Sequence, residues 1–334
     1  MCKMKKIFLN GNKATVYNVF PEALRTEIFG DEKVDVFNKA YVLENPESFA
    51  DTEYIFSTWG MPWFSDEEVK QYFPSLKCIF YAAGTVQYFA RPFLNNGVKV
   101  FSAWAVNAVP VAEYTVAQII LANKGFYRSS IMSDKAGYSE AKKIFSGYIG
   151  NYNSKIGIIG AGMIGKLVIK MLKAYNLDVL VFDPFLPDEV AEELGVEKSS
   201  LERIFSECSV VSNHLANNEQ TKGMLSGELF KLMPQNATFL NTGRGAQVVE
   251  AELCEVLENR SDIVAVLDVT EPEPPEDNSP FYALPNCILT PHIAGSAGNE
   301  VHRMAEFMLI EYNKFIKGED TCYEVTLKML ETMA

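Results

Sequence analysis

The sequence predicts an α/β protein made of two doubly wound parallel-sheet domains. Three observations lead there. Short apolar runs alternate with polar, helix-like stretches, the rhythm of strands and helices in a parallel sheet. That rhythm starts twice, near residue 7 and again near residue 155. A chain of 334 residues is also too long for one average domain and comfortable for two.

In the first series, strands are expected at residues 7–9, 34–37, 54–56, 78–81 and 98–101. Residues 107–124 then carry apolar side chains at helical spacing. With Asn107 as N-cap and Pro110 in the first turn, this predicts a long helix leaving the first unit. Residues 129–154 are polar, contain glycine and tyrosine, and read as loop and short helix. The second series gives strands at 155–159, 178–182, 210–213, 238–241, 263–268 and 287–290, a six-stranded sheet. A last helix over 299–316, stopped at Lys317-Gly318, is expected to bring the chain back to the first unit. The expected division is therefore 1–104 with 297–334 as one domain and 105–296 as the other.

A net charge of −13 leaves no basic stripe to neutralise a phosphate backbone, which argues against nucleic acid and anionic membrane surfaces as partners. It also repels an anionic substrate at long range, so an acid needs a local cation to hold it. The cysteines Cys2, Cys78, Cys208, Cys254, Cys287 and Cys322 show neither a C-x-x-C pair nor metal-ligand spacing, and most lie in apolar runs. They read as buried thiols of a reducing compartment, with no metal site. The basic start, residues 1–6, runs into a short strand-like segment rather than a long apolar core. No stretch of about twenty uninterrupted apolar residues follows elsewhere, so the expectation is a cytoplasmic protein without a signal peptide.

The strand at 155–159 runs directly into Gly160-Ala161-Gly162-Met163-Ile164-Gly165 and then into a helical stretch. In this G-x-G-x-x-G arrangement the first glycine serves a tight turn, the second lets backbone N–H groups approach a pyrophosphate, and the third allows helix and strand to pack closely. The next strand ends at Asp183, eighteen residues after Gly165. A carboxylate there accepts hydrogen bonds from the adenosine ribose hydroxyls and repels a 2′-phosphate, which points to NAD rather than NADP. The plainer alternative is an aspartate that caps its own loop.

Three further stretches stand at strand ends of the same sheet: Asn241-Thr242-Gly243-Arg244-Gly245, Leu267-Asp268-Val269-Thr270-Glu271-Pro272-Glu273-Pro274, and Leu289-Thr290-Pro291-His292-Ile293-Ala294-Gly295. With Val111-Ala112-Glu113 and Ala83-Gly84 also in place, the chain resembles the D-isomer-specific 2-hydroxyacid dehydrogenases, the family that includes phosphoglycerate dehydrogenase and hydroxypyruvate reductase.

The resemblance implies a Rossmann NAD-binding domain, a smaller flavodoxin-like substrate domain, crossing helices that join them, and a homodimer. Arg244 would bind the substrate carboxylate and polarise its keto oxygen. His292 would be general acid or base, with Glu273 holding the imidazole and raising its pKa. Asp268 would accept from the nicotinamide carboxamide. Thr242, Gly243, His292, Gly295 and the segment His214, Leu215, Ala216 with Thr221 would line the cofactor, as would Met163 and Ile164 of the glycine loop. Ala216 and Asn218 depart from the family's His-x-Pro-x-Thr pattern in that wall.

Ala83, Gly84, Thr85 and Trp59 are the expected substrate contacts. Phosphoglycerate-type members of the family use a basic residue in the region of the 57–62 loop to hold phosphate, and this loop carries none, so the resemblance implies an unphosphorylated acid such as glyoxylate, hydroxypyruvate or a somewhat larger 2-keto acid. Taken singly, Arg244 reads better as a surface ion-pair residue, Glu273 as part of an acidic Pro-rich loop, and His292 as a strand-end histidine; their occurrence together, in family order, favours the catalytic reading. Two other functions fit the same scaffold: an NAD(H)-sensing corepressor-like binding protein, and a formate or phosphonate dehydrogenase.

Overall fold

The computed structural model describes residues 5–31 and 33–331. Residues up to 108, together with those from 296, form one compact unit, and residues 109–295 form a second.

In the first unit, strands β1 (Lys6–Leu9), β2 (Val36–Phe37), β3 (Tyr54–Ser57), β4 (Cys78–Tyr81) and β5 (Lys99–Ser102) pair in parallel in the order β2-β1-β3-β4-β5. This is the flavodoxin-like order. A short strand, Glu324–Val325, pairs antiparallel with β5 and closes that edge. Both sheet faces are covered. Ile7, Leu9, Ile55, Ile79 and Val100 point into one apolar cluster, and Phe8, Phe56, Phe80 and Phe101 into another, which includes Met304, Ala305 and Met308 of the helix Glu300–Lys317. A strand buried on both faces reads as a continuous apolar run, which is why Cys78–Tyr81 was legible to its exact ends. The last helix stops where Gly318 adopts the left-handed conformation at φ 72°.

The second unit contains β6 (Tyr152–Ile159), β7 (Asn176–Phe182), β8 (Glu197–Lys198), β9 (Val210–Asn213), β10 (Thr238–Asn241), β11 (Val264–Leu267) and β12 (Cys287–Leu289). All pair in parallel, in the order β8-β7-β6-β9-β10-β11-β12. The sheet thus has seven strands rather than six. β8 is two exposed residues at the edge, too short to leave a periodic signal. The order reverses between β6 and β9, the switch point where ligands of open α/β sheets bind.

Several expectations need correction. The long helix spans Trp104–Asn123, so Asn107 is not its N-cap and Pro110 lies inside it. The Asn107 side chain instead accepts from Ser296 N–H at 3.0 Å. This helix is long and apolar enough by length and composition to cross a membrane. Yet Ala112, Val116, Ile119 and Ala122 lie buried in the second unit's core, which explains that composition. Residues 129–154 hold more helix than expected, Phe126–Ala136 and Tyr138–Phe145. Cys78, Cys208 and Cys254 are buried free thiols, but Cys287 is half-buried and Cys322 exposed. Cys2 lies outside the described residues.

Candidate active site

Parallel pairing decides which residues meet. Ile159 is level with Asn213, Asn213 with Asn241, Asn241 with Leu267, and Leu267 with Leu289. Five strands therefore end in one row, and the loops that start at Gly160, His214, Thr242, Asp268 and Thr290 leave from one edge of the sheet.

The three motif glycines have three distinct environments. A Cβ on Gly160, which sits at φ 91°, would lie 2.7 Å from the His214 carbonyl oxygen, and one on Gly165 only 2.0 Å from that of Gly160. Both positions are closed to any side chain. A Cβ on Gly162 would meet nothing within 4 Å. The middle glycine thus borders open space at the N-terminus of the helix Met163–Leu172, where unpaired N–H groups and the helix dipole favour an anion. Met163 is exposed and Ile164 half-buried in its first turn. These features fit the pyrophosphate of a dinucleotide.

Asp183 stands at the end of β7, and its carboxylate braces the loop: Oδ2 accepts from Ala161 N–H at 2.7 Å and Oδ1 from Phe185 N–H at 2.8 Å. Each oxygen retains a further lone pair for a ribose hydroxyl. Loop capping and ribose binding are therefore compatible in one residue.

The His214 side chain is buried, with Nε2 at 2.9 Å from Ser212 Oγ, and burial lowers its pKa to about 4. The imidazole is neutral at physiological pH. Beyond it, Thr221 Oγ1 donates to Ala216 O at 2.6 Å and accepts from Asn218 N–H at 3.2 Å, while Asn218 Oδ1 accepts from Gln220 and Thr221 N–H. Asn218 and Thr221 thus hold the turn in which the family pattern is broken, and the Thr221 hydroxyl faces its own loop.

Thr242 is buried beside Thr115, with their hydroxyls 3.3 Å apart. Gly243 N–H donates to Asn241 Oδ1, and a Cβ there would crowd Gln247 Oε1 at 2.9 Å. Arg244 is half-buried, and its Nη1 donates to Gly243 O at 2.7 Å, leaving most of the guanidinium fork for a ligand. Burial pulls its pKa down while the nearby Glu273 charge opposes that shift. Next to it Gly245 presses on backbone, since a Cβ would lie 2.0 Å from the Thr270 carbonyl carbon.

His292 Nδ1 lies 2.6 Å from Glu273 Oε1. The imidazole is 47% exposed, so its Nε2 edge can be reached. His292 also sits at φ 54°, a left-handed conformation costing a non-glycine residue about 1–2 kcal/mol. Asp268 holds that turn: its backbone oxygen accepts from His292 N–H, Oδ1 from Thr290 Oγ1 at 2.6 Å and Ile293 N–H at 2.8 Å, and Oδ2 from Ala294 N–H at 2.9 Å. At 2% exposure, this carboxylate is engaged chiefly by the turn that presents the histidine. Gly295 follows, half-buried.

Beneath these loops lies a buried amide cluster that the strand–helix pattern does not reveal. Asn213 Nδ2 donates to Asn241 Oδ1 at 3.0 Å and to Gln247 Oε1 at 2.5 Å, and Asn241 Nδ2 donates to Arg244 O at 3.1 Å. All three are at most 1% exposed. The available signal was that apolar strands β9 and β10 both end in asparagine, and buried amides demand partners.

In the first unit, Trp59 is 40% exposed and its carbonyl accepts from Asn10 Nδ2. Ala83 and Gly84 turn their carbonyls to Ser102 Oγ, and Thr85 Oγ1 accepts from Gln87 N–H at 3.4 Å. Among the described residues, no group of three or more histidine, cysteine and acidic side chains has metal-binding geometry.

Known proteins point the same way. Residues 116–294 match the model of the D-isomer specific 2-hydroxyacid dehydrogenase family's NAD binding domain. A D-3-phosphoglycerate dehydrogenase of Methanocaldococcus jannaschii is 33% identical over 226 residues, 67% of this chain but only 42% of the relative's length. A glyoxylate reductase of Korarchaeum cryptofilum is 28% identical over 257 residues, covering 76% of this chain and 77% of that one. The crystal structure of a D-lactate dehydrogenase with NAD+ from Lactobacillus jensenii shares the fold, with a TM-score of 0.75, 23% identity, and coverage of 96% of this chain and 99% of its own.

Proposed function

Since the chain belongs to the D-isomer specific 2-hydroxyacid dehydrogenase family, we propose that it is an NAD-dependent oxidoreductase interconverting a small 2-keto acid and its D-2-hydroxy acid. The observation that carries this reading is the His292–Glu273 contact at 2.6 Å, at the strand-end row that also holds Arg244 and the glycine loop. The bound nicotinamide supplies the hydride. Gly160, Gly162, Gly165 and the N-terminus of the helix Met163–Leu172 hold its pyrophosphate, and Asp183 its ribose. The 214–221 and 242–243 loops wall the remainder of the cofactor.

Arg244 holds the substrate carboxylate and keto oxygen with a planar, permanently charged fork, the local cation that a chain of net charge −13 must offer an anion. Because Nδ1 of His292 is engaged by Glu273, Nε2 is the nitrogen that delivers a proton to the developing alkoxide and removes it in the reverse direction. Glu273 keeps the ring oriented and stabilises the imidazolium. The first unit's Ala83-Gly84-Thr85 segment offers backbone N–H groups to a carboxylate, and Trp59 an apolar face. With no basic residue in the 57–62 loop, the substrate is an unphosphorylated acid such as glyoxylate or hydroxypyruvate. The enzyme works as a homodimer in a reducing, cytoplasmic setting, in keeping with its buried free thiols.

A panel of 2-keto acids assayed by NADH oxidation, with D- and L-2-hydroxy acids in reverse, tests the proposal. Turnover of a short unphosphorylated keto acid, lost in His292→Gln, is expected. Equal catalytic efficiency with a phosphorylated substrate would refute the substrate class, and no turnover of any keto acid would refute the activity.

A further inference from the structure

Gln247 is fully buried, and both ends of its amide are used. Oε1 accepts from Arg244 N–H at 3.2 Å and from Asn213 Nδ2 at 2.5 Å. Nε2 donates to Leu215 O at 2.7 Å and to Ala216 O at 3.0 Å. One side chain therefore ties the backbone of the guanidinium-bearing residue to the two carbonyls of the segment after β9. A buried amide with four partners has a single orientation, because exchanging its oxygen and nitrogen would turn every one of these contacts repulsive. The close approach to Gly243, where a Cβ would come within 2.9 Å of Oε1, leaves it little room to shift.

We propose that Gln247 is a positioning residue that keeps Arg244 and the Leu215–Ala216 segment in one fixed register. This rests on the reading of Arg244 as the substrate-binding cation and of residues 214–216 as cofactor wall. In this arrangement the Oε1 end fixes the Arg244 backbone from which the guanidinium projects, and the Nε2 end fixes the wall. Displacement of a reacting group by about 1 Å costs on the order of a hundredfold in rate, so a buried residue that touches neither ligand still governs both.

The test is a double-mutant cycle on the full-length chain. Gln247→Met keeps the length and removes the hydrogen bonds. It is expected to lower kcat/KM for the keto acid by roughly tenfold or more with Arg244 present, and by less than about threefold in an Arg244→Ala background. The same factor in both backgrounds would overturn the proposal, because a general structural loss does not depend on Arg244. Gln247→Glu covers the case in which the methionine variant fails to fold. It keeps Oε1 but turns an oxygen toward two carbonyls, so the Kd for NADH, read by fluorescence, must rise by roughly fivefold or more. An unchanged Kd would overturn the proposal as well. If the wild type turns over no keto acid, the dehydrogenase reading fails, and the NADH Kd of the glutamate variant still decides the role of Gln247.

Discussion

Gly162, at the N-cap of the helix Met163–Leu172, and Gly165, in its first turn, lie three residues apart, yet they should answer substitution in opposite ways. A Cβ at Gly162 meets open space, whereas at Gly165 it drives into the Gly160 carbonyl. Gly162→Val is therefore expected to leave Tm within about 2 °C and raise the NADH Kd at least roughly tenfold, by filling the space a pyrophosphate needs. Gly165→Ala is expected to lower Tm by several degrees, since backbone rather than a flexible side chain must yield. Thermal melts and NADH titrations of both variants check the pair. Glu273→Gln is expected to lower kcat by roughly tenfold to a hundredfold while leaving the NADH Kd within about twofold, since the carboxylate meets the imidazole. At this scale the charged and glycine positions were legible because their chemistry is scarce and motif-bound. Asn213, Asn241 and Gln247 were not, because a polar residue at a strand end looks solvated until the register shows it buried.

Among elements, the helix Glu250–Asn259 begins with a carboxylate under strain from its surroundings. Glu250 Oε1 accepts from Glu271 N–H at 2.8 Å, which anchors the loop that carries Glu273. Burial, with the Glu271 charge added and the Glu271 N–H opposing, raises its pKa to about 7. A carboxyl whose folded pKa lies above its unfolded value contributes stability that is complete below about pH 4.5 and lost as pH rises through about 7. Glu250→Gln keeps the acceptor and removes the charge, so it should gain on the order of 2 kcal/mol over wild type at pH 8 and nothing at pH 4. Urea unfolding at the two pH values checks this, and an equal effect at both would contradict it. The turn after β12 depends likewise on Asp268. Asp268→Asn replaces one acceptor oxygen with a donor facing N–H groups, and kcat should fall at least roughly tenfold as the left-handed His292 turn loosens. Strands β4, β9 and β10 coincide end to end with the strands expected from the sequence, and all three are buried on both faces. β8 and the Glu324–Val325 strand, two residues each, were invisible for want of length. The long helix starts at Trp104, three residues before the cap-like Asn107, whose side chain serves a distant N–H instead.

For the whole molecule, the doubled strand–helix rhythm predicts two doubly wound parallel sheets, and the structure adds their strand orders, 2-1-3-4-5 for the parallel strands of the first and 3-2-1-4-5-6-7 for the second, each counted within its own unit. What the rhythm could not supply is register, and register is what brings five loop starts to one edge. The proposed chemistry turns on His292, braced by Glu273, moving the proton that accompanies hydride transfer. Its most direct test is a single turnover in which NADH-saturated enzyme is mixed with glyoxylate or hydroxypyruvate and NADH oxidation is followed, for wild type and His292→Gln. For the variant, an NADH Kd within about twofold of wild type and a hydride-transfer rate lower by roughly a thousandfold or more are expected. A variant that binds NADH normally and oxidises it within about tenfold of the wild-type rate would contradict it.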